Sequence, residues 1–282
     1  MTRIVFILCI SVLGICLPAG AQIRFGPVLA GAGQSVRLVS ETTTQGGTIK
    51  VDKGGRTSNG TLKYSRERDL TWTFRDPAQD GSLRGMVKVA KLNAYNSVTL
   101  DGKTEKSDDS SPLNGKMFGM RKAVKTDWKF ELDGSIPERQ VENEIAELSL
   151  YLKRKWYPQR SVKIGDSWEF DPAWIRMLIE RNLKDAKTIG TMSLRQIHHS
   201  AKGDSAIISV VVRSSGGDFR ADGTESSAQI ELSGQIVVNL KTMLDESLDL
   251  KGVVISRTSK AGETKTVTLP VTLKVTKTLI NS

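Results

Sequence analysis

Three acidic residues that could act in catalysis lie close together near the middle of the chain: Asp166, Glu169 and Asp171. Two carboxyl groups at a suitable separation, one of them in a drier environment, are enough for glycoside hydrolysis. Local structural roles explain the same residues well. Asp166 follows Gly165, which suits a turn, and Asp171 precedes a proline, which suits a helix N-cap. The sequence therefore favours structural roles and keeps a carbohydrate-active hydrolase as an alternative function.

Other catalytic chemistries find little support in the sequence. His198 and His199 are adjacent at the end of a predicted strand, where neighbouring side chains point to opposite faces, so the pair is poorly placed to hold one metal ion. Cys9 and Cys16 both fall in an N-terminal segment that we expect to be removed, which leaves no thiol nucleophile. There is also no G-x-S-x-G motif. These features predict a non-enzymatic protein without a metal site or cofactor.

Tryptophans in the same central region are candidates for ligand binding. Trp156, Trp168 and Trp174 all fall in patterned segments, where aromatic side chains more often form the core than a ligand platform. A hollow between a curved sheet and a helix would instead let them line a site for an apolar small molecule. Both interpretations remain open at the level of sequence.

The chain is basic, with 41 lysines and arginines against 31 acidic residues and a formal net charge of +10. Such a surface attracts anionic lipids and glycans, and we favour these over nucleic acid. A solvated helix face is the simpler explanation for clustered charges. The predicted basic surface consists of Lys153, Arg154, Lys155, Arg160 and Lys163.

The elements that position these residues centre on residues 136–186. Ser135 and Glu138 have capping-box spacing, and apolar residues then recur at steps of three or four as far as Trp156. Pro158 should end this long helix, and Asp171-Pro172 should begin a second, shorter one. The sequence therefore predicts a helical connector in the middle of the chain.

On both sides of the connector the pattern is that of β-strands. Alternating apolar residues predict five strands after it, at 191–197, 206–213, 228–240, 246–256 and 264–279. Pro270 lies inside the last run, which indicates an edge strand or a bulge. Residues 103–116 are polar and predict a solvated loop. Dipeptides that contain glycine and are typical of turns separate the N-terminal strands. They are Gly54-Gly55, Asn59-Gly60, Asp80-Gly81 and Asp101-Gly102.

The central motif also resembles a known arrangement. A helix that ends in an aromatic residue and proline, followed by V-K-x-G-D-x-W at residues 162–168, resembles secreted bacterial β-rich proteins of uncharacterised function. The resemblance implies an exported, β-rich protein and no particular activity. Residues 1–21 agree with export, since Arg3, an apolar run over 4–17 and Ala19-Gly20-Ala21 form a signal-peptide pattern.

These observations predict an α+β fold that is mainly β. One curved antiparallel sheet, or two similar lobes, would pack against the long central helix and the shorter second helix. We expect a signal peptide over 1–21, a β region over 22–135, the connector over 136–186 and a β region over 187–282, with 22–282 as one compact domain. No further apolar run is long enough to span a membrane. The predicted function is an exported, periplasmic or extracellular binding or envelope-associated protein, with a structural envelope component as another alternative.

Overall fold

The computed structural model describes residues 22–26, 31–123, 128–131, 156–170, 187–201 and 203–280. These residues form twelve antiparallel strands in a single sheet. The strands are β1 (Ser35–Lys53), β2 (Arg56–Arg75), β3 (Leu83–Leu100), β4 (Lys103–Ser110), β5 (Met117–Lys122), β6 (Lys129–Glu131), β7 (Ser167–Phe170), β8 (Lys187–His198), β9 (Ser205–Phe219), β10 (Glu225–Asn239), β11 (Asp245–Lys260) and β12 (Glu263–Ile280).

The sheet is built from two series of hairpins joined in the middle. The order is β6-β5-β3-β2-β1-β12-β11-β10-β9-β8-β7, and β4 pairs with the distal half of β3. β1 pairs with β12 over most of its length, for example Leu38 opposite Lys277. The first and last strands therefore connect the N-terminal and C-terminal β regions into one continuous sheet.

The prediction of an α+β fold is wrong for this part of the chain, which is all β. The described ranges contain no helix, and therefore no helix that could span a membrane. Trp156, expected at the end of the long helix, lies in a turn. The rest of the two predicted helices, within 132–155 and 171–186, falls outside the described residues, as does the predicted signal at 1–21. In the described ranges the strands form one continuous sheet and not two lobes.

Backbone pairing overrides composition at two further positions. β4 is exposed along its whole length, yet the Asp101-Gly102 turn folds it back on β3, so residues 103–110 are a strand and not a loop. Pro270 was expected at an edge or a bulge. The edge position is wrong, because β12 is a central strand, but a bulge does lie beside Pro270, on β1. β1 pairs with Thr268 and with Val271 of β12 but with neither residue between them, because β1 bulges at this point. The missing N–H of Pro270 therefore costs no pair with β1.

One face of the sheet, which we call the inner face, carries the hydrophobic core. Apolar residues at alternate positions point to it, as the predicted strand period requires. Each fully buried aliphatic side chain contributes about 1.5–3 kcal/mol. Every long strand supplies at least one side chain with no exposed surface, namely Leu38, Leu70, Val87, Leu194, Ile208, Leu232, Leu250 and Leu273.

Two segments outside the long strands also belong to this core. Ile23 and Val162 form an isolated antiparallel bridge, and both side chains are buried. Phe25 stacks on Tyr157 with ring centres 4.5 Å apart. Residues 22–26 and 156–166 therefore pack together as part of the inner-face core.

A buried polar cluster fixes the second of these segments to the sheet. The Tyr157 hydroxyl donates to Asp245 Oδ1 at 2.7 Å, and Lys277 Nζ lies 3.3 Å from Asp245 Oδ2. The Lys277 ammonium also lies 5.7 Å from the centre of the Trp156 ring. The carboxylate and the ammonium are largely shielded from solvent, so each depends on the other for compensation of its charge.

Candidate functional site

The central acids serve local structure where the model describes them. Asp166 accepts a hydrogen bond from the Lys163 backbone N–H at 3.2 Å and one from Arg160 at 3.1 Å. The backbone bond, followed by the Arg160 contact, lowers the pKa of Asp166 below its usual value. Glu169 is exposed on β7 opposite Thr191. Asp171 lies outside the described residues. Asp166 thus closes a turn, and its geometry gives no sign of a raised pKa suited to a catalytic acid.

Two of the three candidate tryptophans are core residues. Trp156 and Trp168 are almost fully buried, and the Trp168 indole donates to the Trp156 carbonyl oxygen at 2.8 Å. Phe25 packs against Trp168 with a centroid distance of 6.1 Å. Trp174 lies outside the described residues. The tryptophans that can be placed therefore tie segments 22–26 and 156–170 together.

The predicted basic surface is only partly described. Arg160 pairs with Asp166, and Lys163 is exposed. Lys153, Arg154 and Lys155 fall outside the described residues. The two cations that can be placed border the turn formed by residues 160–166.

The adjacent histidines are not part of a metal-binding cluster in the described residues. His199 Nδ1 lies 2.9 Å from an Asp204 carboxylate oxygen on the exposed surface. Among the described residues, no group of three or more histidine, cysteine or acidic side chains is arranged to hold a metal ion. His199 therefore contacts a single carboxylate at the surface.

The most unusual constellation is a line of cations that sequence reasoning missed. Arg75 on β2 is directly opposite Arg84 on β3, and Arg84 is directly opposite Arg121 on β5. Arg121 is in turn opposite Lys129 on β6. Residues paired in this way share a face, and all four are exposed on the outer face, which is the face opposite the core. We call these four residues the cationic row.

The cationic row is electrostatically unfavourable for the fold by itself. Like charges directly opposite one another on neighbouring strands destabilise a sheet. Arg121 pairs with Asp80 at 2.5 Å, whereas Arg75, Arg84 and Lys129 have no carboxylate within 4 Å in the described part of the chain. A row that costs stability and lacks full internal compensation is suited to an external anion.

The loop that follows β2 forms hydrogen bonds with two members of the row. Arg84 donates to the Asp76 carbonyl oxygen, and Arg121 donates to the Ser82 hydroxyl at 3.0 Å. Hydrogen bonds from Ser82, with a contribution from Arg121, lower the pKa of Asp80 to about 2. The carboxylate stays ionised at neutral pH and orients the Arg121 guanidinium. The loop therefore holds two of the four cations in position.

Local sequence explains why each member of the row is exposed, but it does not explain why the four lie side by side. Strand β3 alternates, so Gly85 and Val87 face the core while Arg84, Met86 and Lys88 face outward. An exposed arginine on an outer face is ordinary. Only the register of three successive strand pairs places the four cations side by side, and that register was absent from the sequence pattern.

Comparison with known proteins gives little help with function. No protein-family model matches the chain, and no curated protein matches it. Among solved structures, it is similar to one described as lipid–protein interactions in lipovitellin, with a TM-score of 0.41 and 9% identity. That match covers 92% of this chain and 26% of the lipovitellin chain, so this chain spans about a quarter of that protein.

Proposed function

We propose that this chain is a non-enzymatic binding protein that holds a linear anionic glycan along the cationic row. The proposal rests on one observation, the four cations brought into register on β2, β3, β5 and β6. Guanidinium groups are well suited to carboxylate and sulfate groups because their planar N–H donors bind two oxygens at once. Three of the four members of the row are arginines.

The shape of the row favours a chain-like ligand over a membrane. Neighbouring strands are about 4.8 Å apart, so four strands place the cations along a line of about 14 Å. A polysaccharide with acidic or sulfated residues presents its anions in such a line. Lipid headgroups form a plane and would engage a broader patch of cations.

Heparin, a linear sulfated glycan, is the probe for this proposal. The test variant replaces the three members of the row that lack ion pairs, as Arg75→Gln, Arg84→Gln and Lys129→Gln. We expect its Kd for heparin in isothermal titration to rise by roughly tenfold or more, because most of the affinity comes from ion contacts and counterion release. The slope of log K against log salt should fall by about 2, since each lost contact contributes about 0.7 for a single-stranded polyanion.

A matched control removes the same number of charges elsewhere. Lys63, Lys187 and Lys265 are exposed and form no ion pair among the described residues. Their triple change to glutamine should leave heparin affinity within a factor of about two. Equal weakening by both triple variants would show that net charge alone drives binding and would overturn the proposed site. Binding to phosphatidylglycerol vesicles but not to heparin would overturn the choice of a glycan.

A further inference from the structure

A line of irregularities crosses four central strands of the sheet. It lies away from the cationic row, which is on β2, β3, β5 and β6. β1 bulges between Thr44 and Thr48, and Pro270 on β12 lies beside that bulge. On the next two strands, Gly252 pairs with Val271 of β12 and with Leu232 of β10. We call this line, which runs through β1, β12, β11 and β10, the crease.

Close backbone contacts show that glycine is required at the crease. A Cβ atom at Gly252 would overlap the Glu231 carbonyl oxygen, and one at Gly234 would overlap the Asp249 carbonyl oxygen. At Gly47, in the bulge, a Cβ would lie 2.7 Å from the Leu62 carbonyl oxygen. Each glycine in a strand interior weakens the strand, and bulges commonly re-aim side chains at functional sites. Their occurrence along one line suggests a purpose beyond sheet formation.

The crease opens a groove on the outer face. The groove has a volume of about 500 Å³, which is within the usual range for small-molecule sites. Strand alternation points polar side chains from three strands into it. These are Glu41, Thr43 and Gln45 from β1, Thr272 and Lys274 from β12, and Lys251 from β11.

The groove is lined by two lysines and one glutamate, and Asp249 beside Lys274 brings the charges around it into balance. Lys274 lies in register between Glu41 and Asp249, so its charge has acidic neighbours on both sides. Within the described residues, neither Lys251 nor Lys274 has a carboxylate within the 4 Å of an ion pair. The ammonium groups can donate hydrogen bonds, the Glu41 carboxylate can accept them, and the threonine hydroxyls can do both. Such a set complements a ligand rich in hydroxyl groups and carrying no charge.

We propose that the crease groove binds a neutral saccharide. Sugar hydroxyls both donate and accept, which matches the alternation of lysine, glutamate, glutamine and threonine around the groove. The exposed ring of Pro270 supplies a small apolar surface for the C–H face of a sugar. This site shares no residue with the cationic row and does not depend on the function proposed there.

The test uses an array of neutral malto-, cello-, manno- and chito-oligosaccharides, followed by isothermal titration with whichever of them binds. Thr272→Trp should fill the groove and raise the Kd by roughly tenfold or more, a loss of about 1.4 kcal/mol. Glu41→Gln removes the charged acceptor without changing shape and should also weaken binding. Thr276→Trp places the same indole on the outer face of β12 outside the groove and should leave the Kd unchanged.

Three outcomes would overturn the inference: no neutral oligosaccharide on the array binds, Thr272→Trp and Glu41→Gln both leave the Kd unchanged, or Thr276→Trp weakens binding as much as Thr272→Trp. The fold of each variant is checked by its thermal unfolding midpoint. The Arg75, Arg84 and Lys129 triple variant distinguishes this site from the row, because it should weaken heparin binding and leave saccharide binding unchanged.

Discussion

Arg84 shows how an ordinary residue acquires a role from its neighbours. Its strand alternates regularly, and an exposed cation on the outer face of a sheet needs no explanation by itself. Its direct partners on the two adjacent strands are Arg75 and Arg121, and that juxtaposition costs stability. Under the proposed function, an anion bound along the row offsets this repulsion.

The loop acid beside the row gives a prediction about pH. The pKa of Asp80 is lowered from 3.8 to about 2, so its carboxylate stabilises the fold above its unfolded pKa and loses that effect as pH falls towards 2. Asp80→Asn should therefore be less stable than the wild type at pH 7, and the difference should shrink as pH falls and vanish below pH 2. Urea unfolding midpoints across this pH range measure the difference.

Arg121→Gln provides the control for that prediction. Because Arg121 is one of the groups that lower the Asp80 pKa, the effect of Asp80→Asn should shrink in the Arg121→Gln background. A deficit that remains unchanged at low pH would mean that Asp80 acts through packing or neutral hydrogen bonding rather than charge.

At the scale of elements, segment 156–170 combines a loop and a short edge strand in one unit. Its aromatic residues enter the inner-face core, while the Asp166 turn orients the chain towards β7. The Tyr157 hydroxyl anchors this unit to β11 through Asp245, a residue distant in sequence. The segment is thus held by packing and by one buried charged contact.

Removing the Tyr157 hydroxyl tests that anchor. A hydrogen bond to a charged group contributes about 1.5–3 kcal/mol, so Tyr157→Phe should lower the free energy of unfolding by that amount. Tyr95→Phe is the matched control, since Tyr95 lies on the outer face of β3 with 36% of its surface exposed and should change stability by less than about 0.5 kcal/mol. Equal effects of the two substitutions in urea unfolding would contradict an anchoring role for Tyr157.

The whole molecule is joined by the pairing of its first and last strands. β1 and β12 make a long ladder in the middle of the sheet, and the inner-face core runs without interruption through both β regions. Neither region can unfold without exposing the long strand edge of the other and the core side chains packed beside it. The sheet should therefore behave as one cooperative unit.

Cooperativity can be measured with probes that report different regions. Trp72 lies on β2, whereas Trp156 and Trp168 lie in the central segment. Single-tryptophan variants followed by fluorescence in urea should give coincident transitions that agree with far-UV circular dichroism. Separate midpoints for Trp72 and Trp168 would show that the two β regions unfold independently.

The sequence by itself determined most of the strands after the connector. Apolar alternation is local and survives in any sheet with one buried face, so all five strands predicted after residue 190 are present as β8 to β12. The turns at Gly54-Gly55 and Asp101-Gly102 were also identified, because glycine-containing dipeptides are a local turn signal. The turn predicted at Asn59-Gly60 is wrong, because Gly60 lies inside β2. A Cβ atom at Gly60 would come within 2.8 Å of the Ile49 side chain. There glycine serves close packing and not a turn.

Only the tertiary structure decided which residues meet. Strand order and register depend on pairing between segments far apart in the chain, and no local pattern encodes that pairing. It placed Pro270 in a central strand, aligned Arg75 with Lys129 across four strands, and brought Glu41 and Lys251 to the lining of one groove. A β-strand shows its inward and outward faces in its own sequence, but its neighbours are chosen by the whole sheet.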